Sequence, residues 1–249
     1  MTFDAIRLQS WYNTDQGQTV VRLIGGVMER WVRALPARHS CGLGFTQPYL
    51  NHLGSRLGEC VGGSPAEMGV SRWPLGRENR IAQVRPDALP FPDQNFNRVV
   101  IVHLLEGVSS SQEILREVWR ILEPGGRVVL VVPNRGGLWA WQDSTPFGWG
   151  QPFSPRQIRD ALQDSMFVLR QSCFSLFQPP VKGGRWLSGA SSWEKAGNRW
   201  FAPFGGVIVC EAEKLVYAKS SLLTDREMVR QSGVEAIKVT DRAVHREKK

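Results

Sequence analysis

Long apolar runs are missing from this 249-residue sequence. The longest, Val128 to Val132, has the length of a strand and falls far short of the roughly 20 residues a membrane helix needs. Cysteine is sparse: Cys41, Cys60, Cys173 and Cys210 are far apart and form no Cys-x-x-Cys pair, so neither a zinc site nor a disulfide framework is expected. His39, His52, His103 and His245 show no metal-ligand spacing either. The start, Met1 to Trp11, lacks the basic-then-apolar layout of a signal peptide, which makes a cytoplasmic location the expectation. There is no internal repeat, no phosphate-loop Gly-Lys-Ser/Thr ending, no Ser/His/Asp grouping and no Asn-Pro-Pro-Tyr-like motif.

What is present describes an ordinary soluble globular chain, with 42% hydrophobic and 22% charged residues. The formal net charge is +8. Part of it sits in residues 219–249, where eight Lys/Arg face five Asp/Glu, so a polar, loosely held tail is expected after one domain over residues 1–218. The excess is diffuse rather than blocked, which favours a basic soluble enzyme over a nucleic-acid binder while leaving the second reading open. Most of the ten tryptophans lie beside apolar neighbours, the pattern of core and lid packing more than of base stacking.

The chain then reads as alternating elements. Val20, Ile24, Val27, Met28, Trp31 and Leu35 make one stripe of a helix near 18–35, stopped by Pro36. A poorly apolar strand at Leu35 to Arg38 leads to a glycine-bearing turn, Cys41-Gly42-Leu43-Gly44-Phe45, and a helix over Pro48 to Leu57. A short strand at Gly58 to Gly62 precedes a loop over 71–80 with Pro74, Gly76 and Asn79 as breakers. Asn97 to Leu105 is a strand buried on both faces. Ser110 with Glu113 predicts a capping box opening a helix that Pro124-Gly125-Gly126 stops, and a second buried strand runs from Arg127 to Val132. This strand–helix–strand unit implies parallel pairing in an open α/β sheet with helices on both faces. Beyond a tryptophan- and glycine-rich loop at 134–153, the pattern predicts a helix from Ser154-Pro155 to Ser165 with Gln157 completing a capping box. Strands at Phe167 to Phe177 and Gly206 to Ala218 follow, with 186–200 ambiguous.

Two segments carry a specific likeness. Leu89-Pro90-Phe91-Pro92-Asp93-Gln94-Asn95-Phe96-Asn97 resembles the Leu-Pro-Phe-x-Asp-x-x-Phe-Asp element that leads into the fourth strand of type-11 class I methyltransferases. Arg120-Ile121-Leu122-Glu123-Pro124-Gly125-Gly126 resembles that family's Arg-x-Leu-x-Pro-Gly-Gly element before the fifth strand. With Trp11-Tyr12-x-Thr14-x-x-Gly17 and the last strand, the likeness spans about residues 10–218. The loop Val132 to Arg135, Leu138-Trp139 and Ser144 to Gly148 is similar to that of a bacterial subgroup. The resemblance implies a Rossmann-like class I methyltransferase fold, a mostly parallel seven-stranded sheet with helices on both faces. It further implies S-adenosylmethionine as cofactor and methyl transfer to a small-molecule acceptor. It places Cys41, Gly42, Leu43 and Gly44 at the cofactor, where glycine lets the backbone approach, together with Asp87, Ala88, Leu89 and His103.

The sequence departs from that pattern at the acidic positions. His39, Ser40 and Cys41 stand where an acidic residue usually precedes the glycines, and Gly62, Gly63 and Ser64 where one usually ends the second strand. Glu67, the nearest carboxylate, reads as a helix-surface residue, and Arg85 stands where an Asp often lies near the adenine. His103, at the end of the fourth strand, is a candidate general base with Glu106 to orient it, against the plainer reading of a hydrogen-bonded strand-end histidine. Arg135, Trp139, Trp141 and Phe147 in the loop after the fifth strand are candidates to enclose the acceptor, or else a cover on the sheet. The missing acids favour an alternative, a non-catalytic binding or assembly protein with this fold. RNA binding through the basic surface is the third reading.

Overall fold

In a computed structural model of the chain, the structure describes residues 3–180, Glu194, Gly197 and 202–216. The tail expected from 219 onward and most of the ambiguous 186–200 stretch lie outside the described residues.

Two helices lead the chain. The first, α1 (Ala5–Tyr12), has Asp4 as its N-cap, accepting from the Ile6 and Arg7 amides. The second, α2 (Asp15–Ala34), is capped by Thr14, whose hydroxyl accepts from the Gly17 amide. Then come β1 (His39–Gly44), α3 (Gln47–Leu53), β2 (Glu59–Pro65), β3 (Ile81–Val84), β4 (Phe96–Val102), α4 (Ser111–Ile121), β5 (Leu122–Pro133), α5 (Pro155–Asp164), β6 (Phe167–Ser175) and β7 (Val207–Lys214). The seven strands form one sheet in the order β3-β2-β1-β4-β5-β7-β6. Neighbours from β3 to β5 pair in parallel, and β7 runs antiparallel to both β5 and β6.

Alternation along the central strands divides the core. Val100, Val102, Val129, Val131, Val207 and Val209 face the side covered by α1, α2 and α3. Val99, Ile101, Val128, Leu130, Ile208 and Cys210 face α4 and α5. Strands apolar on both faces are what a sheet covered on both sides requires.

Several expectations need correction. The glycines of Cys41-Gly42-Leu43-Gly44 lie within β1, not in a turn after a strand at Leu35 to Arg38. Buried small residues between β2 and β4 make a strand here, and only Gly44, at φ +84, begins the turn. A Cβ on Gly44 would collide with the Val102 carbonyl oxygen, so glycine is needed for the close approach of β1 to β4. Ser110 makes no side-chain cap on α4, whereas the Ser154–Gln157 capping box on α5 is complete. The helix expected to Leu57 ends at Leu53 and continues as a 3-10 turn over Gly54–Leu57. β2 runs three residues further than expected, to Pro65, and both α1 and β3 are additional elements.

Two charged networks hold the sheet. At the N-terminal end of β4, Arg98, only 1% exposed, donates to Glu211 (3.2 Å) and to the Leu35 carbonyl (2.6 Å). Glu211, itself buried on β7, also accepts from Arg127 on β5 (3.1 Å) and Gln171 on β6 (2.8 Å), so one carboxylate ties four strands together. Across the α4 face, Arg120 donates to the Leu89 and Phe91 carbonyls (both 2.9 Å) and pairs with Asp93 (2.6 Å) and Glu117 (2.8 Å). The two signature segments are therefore in contact, with the arginine of one clamping the backbone of the other.

Glu211→Ala should destabilise the protein by about 3–5 kcal/mol, because it leaves the buried Arg98 guanidinium uncompensated; urea denaturation measures it. Arg120→Ala should cost about 2–3 kcal/mol through lost charge-assisted hydrogen bonds. Arg120 also holds the Glu117 carboxyl below the usual carboxylate range. A depressed folded value gives stability that is present above the unfolded value and is lost as pH falls through the lowered one. Arg120→Ala should therefore flatten that acidic part of the stability profile, as read from melting temperature against pH.

Candidate functional site

Ligands of open α/β sheets sit beyond the C-terminal ends of the strands, and two adjoining cavities open there. The first, about 370 Å³, lies past β2 and β4 and is walled by Phe3, Met68, His103, Leu104, Glu106 and Gln151 among others. The second, about 440 Å³, extends toward β3 and includes Val84, Arg85, Asp87, Ser110 and Ile114. Pro65, Glu67, Gly107, Val108 and Ser109 line both, so they form one cleft. Each volume is within the range of roughly 300–1,000 Å³ typical of ligand pockets.

Glu67 is the acidic group of this cleft closest to the end of β2. It sits in the exposed turn that follows Pro65, and the helix-surface reading is corrected by that position. Its signal in the sequence was hidden, because Gly62-Gly63-Ser64 looks like a loop and only the structure extends β2 through it. Those residues are small because they pack between neighbours: a Cβ on Gly63 would lie 2.8 Å from a Val84 methyl. On the far wall Arg85 and Asp87 form an ion pair at 2.7 Å. Arg85 thereby holds the Asp87 carboxyl below the ordinary carboxylate range.

The cleft lies on the β2–β3–β4 side, and the β1 residues do not line it. Cys41 and Leu43 are buried in the core against α4, and Gly42 and Gly44 are not among the residues lining either cavity. The space that a side chain on Gly42 would fill is taken by Thr46 and Leu50. Past the strand end Phe45 is buried, its ring stacked on Tyr12 at 5.6 Å between centroids. Of the other candidate cofactor residues, Asp87 and His103 line the cleft, Ala88 is exposed beside it, and Leu89 is buried with its amide donating to Glu117.

A buried polar chain closes the end of β4. Tyr49 and Tyr12 meet through their hydroxyls at 3.1 Å, the Tyr12 hydroxyl lies 2.7 Å from His103 Nε2, and His103 Nδ1 lies 3.1 Å from Glu106 Oε1. His103 is 0% exposed and has φ +54, a left-handed conformation that a non-glycine residue holds only when its surroundings impose it. Burial raises the Tyr12 hydroxyl well above its ordinary value, so it remains a protonated donor. That hydroxyl stands between Tyr49 and His103 Nε2, and Nδ1 faces Glu106. His103 and Glu106 are brought close together, and both ring nitrogens lie within hydrogen-bond distance of a neighbour. Glu106 Oε2, buried, has no hydrogen-bond partner among the described residues.

The loop after β5 divides in two. Trp139 and Phe147 are buried in the core on the α1 side, Trp139 donating to the Gln178 carbonyl at 2.7 Å and Phe147 packed 4.9 Å from the His103 ring. Trp141 is 73% exposed, and Arg135 is exposed and bonded to the Pro152 carbonyl. None of the four lines the two cavities. Phe3 and Tyr12, which do shape the site, had no legible signal beyond the Trp11-Tyr12 pair. Phe3 fits against Gly107, where a Cβ would lie 2.9 Å from its ring. The cysteines are free, and burial pushes the Cys60 and Cys210 thiols up to about 12, which removes them as nucleophiles at neutral pH.

Residues 38–130 match the family model described as a methyltransferase domain, Methyltransf_11. Curated relatives include the ubiquinone/menaquinone biosynthesis C-methyltransferase UbiE of Escherichia fergusonii, 30% identical over 146 residues, 53% of this chain and 51% of that protein. UbiE of Citrobacter koseri is 28% identical over the same length. The chain spans about half the length of these relatives. Among solved structures, a Thermotoga maritima S-adenosylmethionine-dependent methyltransferase, described as a possible histamine N-methyltransferase, superposes with TM-score 0.54 at 16% identity. That match covers 83% of this chain and 93% of the other. An S-adenosylmethionine-dependent methyltransferase of Archaeoglobus fulgidus gives 0.55 at 14% identity, over 78% and 94%. The strand order and these matches agree on the class I methyltransferase fold, and residues 38–130, which contain the two signature segments, are similar to the type-11 methyltransferase domain.

Proposed function

We propose that the protein is an S-adenosylmethionine-dependent methyltransferase acting on a small molecule, with its cofactor in the cleft over β2, β3 and β4. The observation that carries this reading is the position of Glu67, a carboxylate just past the end of β2 that borders both cavities. An acidic side chain there accepts hydrogen bonds from the paired hydroxyls of a ribose. Val84, Ile114 and Pro65 supply apolar walls for a flat base on the β3 side. When bound, S-adenosylmethionine supplies a methyl group already activated by its sulfonium sulfur. The protein therefore has to hold donor and acceptor in line and exclude water, more than to push electrons. The loop after β5 supplies Gly150 and Gln151 to the first cavity, which makes that cavity the acceptor side.

A second reading is favoured by one specific observation. Gly42 and Gly44 are packed by Thr46, Leu50 and the β4 backbone, so the glycines serve the protein's own strands. That arrangement suits a protein that keeps the fold for binding or assembly without the cofactor.

Calorimetric titration separates the two. S-adenosylmethionine and S-adenosylhomocysteine should each bind at a single site. Glu67→Ala should weaken both by at least about tenfold, close to 1.4 kcal/mol. Absence of heat at millimolar ligand, with the protein shown folded by circular dichroism, would establish the non-catalytic reading.

A further inference from the structure

One aromatic ring from ahead of α1 closes a side of the first cavity. Phe3 is 6% exposed and belongs to the cavity wall. Its ring lies 5.7 Å from the His103 ring and 6.0 Å from that of Trp149, between centroids. A Cβ on Gly107 would come within 2.9 Å of the Phe3 ring, and one on Gly150 within 3.3 Å. His103, Gly107 and Gly150 are wall residues of the same cavity, so space released by the ring would open onto it.

Gly107 shows that the seat of the ring is built for it. Its backbone lies outside the left-handed region that favours glycine. Among the described residues, the Phe3 ring is all that a Cβ there would meet within 4 Å. Backbone geometry does not call for glycine at this position; the ring does. Gly150 differs, since at φ +89 its backbone already favours glycine.

The ring is also anchored. The Ala5 amide donates to the Met68 carbonyl at 2.8 Å, and the Asp4 side chain caps α1 by accepting from the Ile6 and Arg7 amides. Met68 is itself in the cavity wall, so the backbone two residues past the ring is tied to the surface that the ring completes. A close-packed wall held in this way yields little, and it sorts ligands by volume.

We propose that Phe3 sets the size of the ligand that the first cavity admits, its ring filling the volume that Gly107 leaves open. Calling that ligand the methyl acceptor rests on the methyltransferase reading; the size limit itself does not.

The test titrates phenol and 2-naphthol, which share a hydroxyl and differ by one fused ring, into the full-length protein by calorimetry. Phe3→Ala should raise the affinity for 2-naphthol relative to phenol by at least about tenfold. Phe3→Trp should lower that ratio below the value of the unmodified protein. Adding Gly107→Ala to Phe3→Ala should take back part of the gain, because the new methyl group occupies space that the ring left. The proposal is overturned by an unchanged ratio in the folded Phe3 variants, by a gain that Gly107→Ala leaves untouched, or by no binding of either probe to any of these proteins. Where circular dichroism shows Phe3→Ala unfolded, Phe3→Leu replaces it, with a smaller rise in the same direction. A ratio that follows the side chain at position 3 without S-adenosylmethionine binding would leave the size limit and remove methyl transfer. Binding of S-adenosylmethionine with a ratio indifferent to that side chain would remove the size limit alone.

Discussion

The site depends on how the chain leaves β4. At His103 it turns through a left-handed conformation that costs a non-glycine residue about 1–3 kcal/mol unless its surroundings compensate. Here they do so through hydrogen bonds at both ends of the imidazole, with Tyr12 on α1 and with Glu106 three residues on. The same turn leads to Gly107, Val108 and Ser109, which line both cavities of the cleft. Because Tyr12 comes from the first helix, the N-terminal segment is part of the site. Phe3 reaches the cavity wall only if α1 is seated, and α1 is seated by Tyr12 under His103 and by the Ala5 amide on the Met68 carbonyl. A single bent residue thus couples the start of the chain to the middle of the sheet.

The parts of the fold that were legible are those in which local pattern and tertiary role coincide. Runs such as Val99 to Val102 are apolar throughout because both faces of the sheet are covered, and no other environment suits them. The Leu-Pro-Phe and Pro-Gly-Gly segments were legible for a different reason. They hold each other through Arg120, so their residue types are constrained together and at fixed spacing.

The parts that were not legible are strands built from small or polar residues. β1 reads as a glycine turn and β2 as a strand that stops at Gly62, since His39 to Gly44 and Glu59 to Pro65 offer little apolar periodicity. Their strand character comes from pairing with β4 and β3 and from neighbours that fill the space side chains would take. That displacement of the end of β2 by three residues is why Glu67 reads as a helix-surface residue. The closeness of His103 and Glu106 was legible from their spacing, whereas the saturation of both imidazole nitrogens was not, because Tyr12 arrives from 91 residues away. The aromatic loop after β5 shows the same limit: Trp139 and Trp141 are two residues apart, yet one is buried in the core and the other faces solvent.

Charge divides the molecule along the sheet axis. At the N-terminal ends of the strands the buried Glu211 is matched by Arg98, Arg127 and Gln171, so that carboxylate is fully committed to structure. At the C-terminal ends the buried Glu106 has, among the described residues, one oxygen matched and one not. One of these carboxylates lies within the sheet and is satisfied on both oxygens, and the other lies in the turn just beyond it and is satisfied on one. Since natural interiors pair nearly all such groups, Glu211 is fixed from three strands, whereas Glu106 is held from one side, by the ring that also fixes the turn after β4.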